Sequence, residues 1–156
     1  MTETPSFKRG QYFEEFEVGR RYPTYTRTIT EADLVMFCSL VGYKTPLFID
    51  EHYARKTRFG GRIVPSSLTM AYSTAMTESF FRTTIVAHLS SNNATFHAPV
   101  RPGDTIGTEV EVVSKESKSA KNGVVQFRDH VTNQDGKLVY TVDKAVLISK
   151  RPPAQA

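Results

Sequence analysis

The segment at residues 65–81 limits the possible folds more strongly than any other part of the chain. It begins with Pro65 and Ser66, which favour a helix start, and no charged residue follows before Glu78. Apolar and small polar side chains occupy most sides of this predicted helix, which is typical of a helix buried nearly all round. Small side chains would let strands approach closely, so the sequence predicts a long central helix covered by a sheet.

The strands that would cover this helix lie in the second half of the chain. Apolar and polar residues alternate over 106–112 and again over 125–131. The alternation resumes at 138–142 and then shifts phase toward Ala145 and Leu147. Because an extra residue in one strand produces such a shift, we expect a bulge in this last strand.

Turn signals and the remaining segments complete the predicted sheet. Residues 101–104 place Pro and Gly at the centre of a type II turn, and residues 133–136 read as the Asn-Gln-Asp-Gly turn of a hairpin. Residues 20–29 are predicted to be an entering strand, and residues 84–100 to contain two more. Helices followed by about five antiparallel strands indicate an α+β fold in which the sheet wraps around the long buried helix.

Two shorter helices are predicted before the long one. Thr30 can cap the first, with Asp33 three residues later as a variant of the capping box, and Gly42 ends it. Asp50 can cap a short helix over 51–56. The loop between Gly42 and Asp50 therefore joins two helices.

The composition narrows the classes of partner. The 156 residues predict one domain over 1–156, with a core at about 11–148 and loose ends. The net charge of +4 suits an anionic ligand, but the basic residues form no block or aromatic-interleaved stripe, which argues against nucleic acid. No apolar run approaches the roughly 18 residues that span a bilayer, and no metal-ligand spacing occurs. We expect a cytoplasmic protein with no cofactor and no membrane partner, in which the one cysteine, Cys38, is a buried core thiol.

Five motifs, in order along residues 11–148, carry a family resemblance. They are Phe16-Glu17-Val18-Gly19, Thr28-Ile29-Thr30-Glu31-Ala32-Asp33, Tyr53-Ala54, Phe59-Gly60-Gly61-Arg62-Ile63-Val64 and Pro99-Val100-Arg101-Pro102-Gly103-Asp104-Thr105-Ile106. In this combination they resemble the MaoC-like dehydratase family, which includes the R-specific enoyl-CoA hydratases. The resemblance implies a hot-dog fold, an antiparallel sheet wrapped around a long buried helix.

The resemblance also implies a site and its partners. Members of the family bind acyl-CoA or another acyl thioester and usually add water reversibly to a 2-enoyl-CoA. They act as dimers or higher oligomers, with the site at the interface, the acyl chain beside the buried helix and basic residues near the CoA phosphates. By position, the backbone N–H of Ser66 would hold the thioester oxygen, and Thr74 matches a hydroxyl residue often found in the family. The other positions assigned to substrate binding are Lys44, Thr45, Pro46, Phe59, Gly60, Gly61 and Arg62.

The acid–base pair of the family is missing from this chain. In the family an Asp follows a glycine and a His comes five residues later, and together they move the protons of hydration. Here Tyr43 follows Gly42 where the Asp belongs, and Phe48 replaces the His. Phe48 cannot exchange a proton, and a phenol with an ordinary pKa of about 10 is a poor base at neutral pH. We therefore expect neither residue to act as its family counterpart does.

Three functions stay open on the sequence alone. The chain could be a hydratase or dehydratase that uses substitute groups, such as Tyr43 or His97. It could be a non-catalytic acyl-CoA-binding subunit, either as a homodimer or paired with a catalytic hot-dog subunit. It could instead be a hot-dog thioesterase that uses the carboxylate of Glu78 or Asp50.

Overall fold

A computed structural model describes residues 9–153 and shows one antiparallel sheet with five helices. The strands are β1 (Arg21–Thr28), β2 (Ile85–Phe96), β3 (Thr105–Ser117), β4 (Asn122–Thr132) and β5 (Leu138–Ser149). The helices are α1 (Glu31–Val41), α2 (Pro46–Ile49), α3 (Glu51–Arg55), α4 (Ser66–Met76) and α5 (Glu78–Phe81). Two 3₁₀ turns cover Phe13–Glu15 and Arg82–Thr84. The spatial order of the strands is β1-β3-β4-β5-β2, so β1 and β2 are the edges.

The central helix α4 packs on the inner face of this sheet. Leu68 and Met76 are buried in one core with residues of β3, β4 and β5. Ser73 is fully buried between helix and sheet, and its carbonyl accepts a hydrogen bond from Thr108 Oγ1 on β3 at 3.5 Å. The predicted α+β arrangement is confirmed. Burial of α4 on nearly all sides is not observed, because Ala71, Thr74 and Ala75 on the side away from the sheet are exposed in this chain.

Helix α1 has the caps that the sequence predicts. Thr30 Oγ1 accepts from the backbone N–H of Asp33 at 3.1 Å, and Asp33 Oδ2 accepts from the N–H of Thr30 at 2.8 Å. Gly42 ends the helix with φ +74°, in the left-handed region that favours glycine. Asp50 likewise caps α3 by accepting from the N–H of Tyr53 at 2.9 Å. These two caps hold both ends of the loop at 42–50.

Asp33 also joins α1 to the central helix. The hydroxyl of Tyr72 on α4 donates to Asp33 Oδ1 at 2.5 Å, and Arg27 reaches the same oxygen at 3.2 Å. Burial opposes ionisation of Asp33, but the hydrogen bonds from Tyr72 and Thr30 outweigh it and lower its pKa from 3.8 to about 2. The charged form of this carboxylate is therefore favoured by folding.

Replacing Asp33 by Asn should make folding less sensitive to acid. Because the folded-state pKa is depressed, the charge contributes stability above about pH 4 that is lost as the pH falls toward 2. The variant should be less stable at pH 7 by about 1–2 kcal/mol and should lose less stability between pH 4 and 2. Urea unfolding at several pH values measures both effects. The exposed Asp135→Asn is the control, and equal pH slopes for Asp33→Asn and the wild type would contradict the prediction.

The structure of residues 65–100 differs from the prediction in two ways. Residues 84–100 contain the single strand β2 rather than two, so four strands follow the helices instead of about five. The predicted long helix over 65–81 is α4 followed by the separate α5, with a break at Thr77. Ser90 and Asn93 lie within this one bulged edge strand.

A bulge is present in β5, but not where the phase shift toward Ala145 predicts it. Val139 is the extra residue of β5, where the register with β4 shifts between Val131 and Thr132, and the edge strand β2 is more irregular. The pairing of β5 with β4 keeps one register from Asn122–Ser149 to Val131–Tyr140, whereas the pairing of β5 with β2 shifts three times, with the extra residues in β2. The apparent phase shift in β5 arises because Lys144 occupies an inward position that a hydrophobic residue would normally fill. None of the helices within residues 9–153 is long and apolar enough to cross a bilayer.

Candidate active site

A cavity of about 340 Å³ opens at the start of the central helix. Ser66, the first residue of α4, lines it together with Phe48 and Phe59. The N-cap residue Pro65 has no side chain that could cap the helix, and no hydrogen bond joins the N–H of Ser66 to any residue within 9–153. Because a helix N-terminus carries partial positive charge, this free N–H suits an anionic or carbonyl oxygen. The cavity is lined further by Leu47, Arg58, Ile63, Val64, Thr69, Phe96, His97, Ala98, Pro99 and Val100.

The two positions that would carry the acid–base pair form an aromatic contact. The rings of Tyr43 and Phe48 meet edge to face, with 5.5 Å between their centroids. The hydroxyl of Tyr43 lies 3.0 Å from Ser67 Oγ, the second residue of α4. Both side chains therefore lie next to the start of the central helix. The contact between the two rings is hydrophobic. The hydroxyl of Tyr43 forms a separate hydrogen bond with Ser67.

The loop that carries these residues is set by its helices. Thr45 is the N-cap of α2 and Pro46 is its first residue, where a missing N–H costs nothing. Lys44 lies in a second cavity of about 420 Å³, with Tyr43 and Arg62. Phe48 lines this cavity and the first one, so its ring forms part of the wall between them.

The turn at 59–62 borders both cavities and is held by polar contacts. The guanidinium of Arg101 donates to the carbonyl of Phe59, and Gly60 has φ +67°. Gly61 is buried close to the side chains of Arg101 and Glu51, at 3.5 Å from where a Cβ would stand. Backbone conformation therefore explains the glycine at Gly60, whereas a Cβ at Gly61 would meet only ordinary contacts.

Arg62 is engaged within the protein. It pairs with Glu31 of α1 at 2.6 Å and with Glu51 of α3 at 3.2 Å, and its side chain is only 20% exposed. These contacts raise the pKa of Arg62, led by the hydrogen bond to Glu31, and keep it charged. Arg62 therefore has a structural role. A phosphate that binds Arg62 would have to share its guanidinium with Glu31 and Glu51.

Thr74 lies apart from the other predicted site residues. It lines a third cavity of about 290 Å³, with Glu78, His88 and Lys144. Thr74 lies eight positions after Ser66, which places it about 12 Å further along the helix. Within one chain, the structure therefore groups Phe48, Phe59 and Ser66, and it does not bring Thr74 to them.

The other titratable candidates have structural partners. Asp50 caps α3, and Glu78 is exposed and pairs with Arg82 one turn away at 3.4 Å. His97 lines the first cavity and lies 2.9 Å from Thr141 Oγ1. Sequence reasoning missed Ser67, which partners Tyr43, because a serine among many in one helix gives no distinguishing signal. It also missed the buried pair Asp129 and Lys144, although Asp129 stands in the apolar register of its strand.

An antiparallel sheet packed against one central helix, with a cavity at the start of that helix, is the arrangement of the hot-dog class. A Mycobacterium tuberculosis protein with a double hot-dog fold superimposes with a TM-score of 0.85 at 20% identity, over 94% of this chain and 46% of that one. The family model described as the MaoC like domain matches residues 14–134. The chain belongs to this family of MaoC-like dehydratase domains.

Two relatives show the range of chain lengths. The (R)-specific enoyl-CoA hydratase of Rhodospirillum rubrum is 28% identical over 90% of this chain and 93% of its own length. The beta-methylmalyl-CoA dehydratase of Chloroflexus aurantiacus is 30% identical over 92% of this chain but only 42% of its own length. This chain therefore spans nearly all of one relative and less than half of the other.

Proposed function

We propose that this protein binds acyl-CoA or a similar acyl thioester at the start of α4, in a hydratase- or dehydratase-type site whose acid–base pair is missing. One observation carries the proposal: Ser66 lines a mostly apolar cavity, and its N–H has no hydrogen-bond partner within residues 9–153. A thioester oxygen could accept from this N–H, supported by the helix dipole. The relatives named as a hydratase and a dehydratase act on acyl-CoA substrates, which supports the ligand class.

Hydration by the wild-type chain should be weak. Addition of water needs a group that takes a proton from water and one that supplies a proton to the α carbon, each worth roughly 10²–10⁴-fold. Tyr43 and Phe48 offer an aromatic contact in their place. Thioesterase chemistry through Glu78 or Asp50 is disfavoured by the contacts of these residues, because one is paired on the surface and the other caps a helix.

We further infer that two copies pair through the edge strand β2. Four apolar residues of β2, Ile85, Val86, Leu89 and Phe96, are more than 40% exposed. An exposed edge of this kind is a template for another strand. The other edge, β1, is protected from pairing by a proline and two arginines, Pro23, Arg21 and Arg27.

A pairing with a different hot-dog domain is the second candidate. The Chloroflexus dehydratase and the Mycobacterium double hot-dog protein are each about twice as long as the matched region. This chain could therefore correspond to one half of such a pair, with the acid–base groups supplied by the other half. Size-exclusion chromatography with light scattering distinguishes a homodimer from a monomer that lacks its partner.

Changing Ser66 to proline tests the binding proposal at a single atom. Proline lacks an N–H but fits the first helical position, and Pro65 already has the extended conformation (φ −54°, ψ 138°) that a following proline requires. We expect the affinity for crotonyl-CoA, measured by calorimetry, to fall about tenfold in Ser66→Pro and to stay unchanged in Ser66→Ala. Absence of wild-type affinity, or equal binding by both variants, would overturn the proposal.

A further inference from the structure

A buried ion pair lies beside the cavity that contains Thr74. Lys144 of β5 contacts Asp129 of β4, and their side chains are 3% and 0% exposed. Lys144 lines this cavity, with Thr74 of α4 and His88 of β2. The surrounding core is apolar, and neither carboxylate oxygen of Asp129 accepts a hydrogen bond from residues 9–153 with good geometry. Burial raises the pKa of Asp129, and the neighbouring Lys144 ammonium opposes this rise.

This pair is poorly explained as a stabilising contact. Taking two charges out of water costs several kcal/mol each, and their attraction repays that cost only when hydrogen bonds satisfy the remaining donors and acceptors. A lysine ammonium has three N–H donors, and Asp129 is the one partner of Lys144 within the described part of the chain. At least one donor of Lys144 therefore has no acceptor among the described residues, and Lys144 lines a cavity in which a ligand could supply one.

Pairing of two β2 strands would bring this cavity to the partner's thioester site. The midpoint of β2 lies between Ser90 and Ser91. A two-fold axis near that point places the start of one strand beside the end of the other. His88, near the start, lines the Lys144 cavity, whereas Phe96, at the end, lines the Ser66 cavity. Each Lys144 cavity would thus adjoin the Ser66 cavity of the partner copy, and neither site would be complete in one chain.

We propose that Lys144, held in place by Asp129, binds a carboxylate on the acyl group of the thioester whose carbonyl lies at the partner's Ser66. This inference rests on the proposed function and on the β2 pairing. A carboxylate suits the position because it offers acceptor oxygens to a buried cation, and such charge-assisted hydrogen bonds are the stronger ones. The ligand class is therefore an acyl thioester with an acidic acyl group, rather than one with a long apolar chain.

Two four-carbon thioesters that differ only at the far end of the acyl group test this proposal. Succinyl-CoA carries a carboxylate where butyryl-CoA carries a methyl group. Calorimetry with the wild-type protein should show succinyl-CoA binding about tenfold more tightly. If neither compound binds, the proposed function fails. If both bind with equal affinity, the thioester site stands and the role of Lys144 is refuted.

Two variants assign the preference to the lysine. Lys144→Met removes the charge and keeps an unbranched side chain, but it leaves Asp129 buried without its partner. The double variant Lys144→Met with Asp129→Leu removes both charges and guards against loss of the fold. We expect the double variant to bind butyryl-CoA as the wild type does and to lose its preference for succinyl-CoA. A retained preference would overturn the proposal, and Arg128→Met on the outer face of β4 serves as the control.

Discussion

Replacing Tyr43 by Asp and Phe48 by His in the same chain is expected to raise hydration of crotonyl-CoA at least about hundredfold. The two rings already meet, with 5.5 Å between their centroids, so the new side chains would face the same small volume. Both lie beside the start of α4, where the N–H of Ser66 can stabilise the developing enolate. Loss of the enoyl absorbance measures the rate.

The control for this gain of activity is a variant with polar side chains at both positions, neither of which can act as an acid or a base. Tyr43→Asn with Phe48→Gln should bind crotonyl-CoA and remain as slow as the wild type. Fast hydration by the wild type would show that other groups, with His97 the first to test, already perform the acid–base steps. A folded Asp/His variant that binds crotonyl-CoA but stays inactive would show that the vacated positions are not arranged for hydration.

Separating the buried ion pair is expected to produce a large loss of stability. Lys144→Met alone should lower the free energy of unfolding by about 3–5 kcal/mol, because the carboxylate of Asp129 would be left buried and unpaired. Removing both charges, with Asp129→Leu added, should restore wild-type stability or exceed it by about 1–4 kcal/mol. Urea denaturation of the wild type and both variants measures the difference.

A neighbouring pair on the outer face is a matched control. Arg128 and Asp143 each adjoin one member of the buried pair in sequence and contact each other at 2.6 Å, but Arg128 is 48% exposed. Replacing Arg128 by Met should cost less than about 1 kcal/mol, since water can solvate the remaining carboxylate. Similar costs for the inner and outer single variants would mean that water reaches Asp129 and Lys144 freely.

The sequence by itself determined the elements whose signals are local. The capping residues Thr30 and Asp33, the end of α1 at Gly42 and the cap at Asp50 are each recognised by neighbouring backbone groups, and all lie where they were predicted. The central helix and the α+β class followed from side-chain pattern, and the family followed from ordered motifs. The residue types Tyr43 and Phe48 could also be read from the sequence, which predicts that the family's acid–base pair is missing.

Only the tertiary structure decided what depends on contacts between distant segments. Residues 84–100 were predicted to contain two strands, yet pairing with β5 holds residues 85–96 as one bulged strand. The sequence pattern indicates that Lys144 is an exposed residue of a strand whose alternation shifts phase. Nothing near Lys144 in the sequence shows that Asp129 lies beside it on the neighbouring strand β4. The same is true of Thr74, which shares a helix with Ser66 but faces a different cavity. Hydrogen bonds between strands and the burial of charge are properties of the assembled sheet, so no local pattern could predict them.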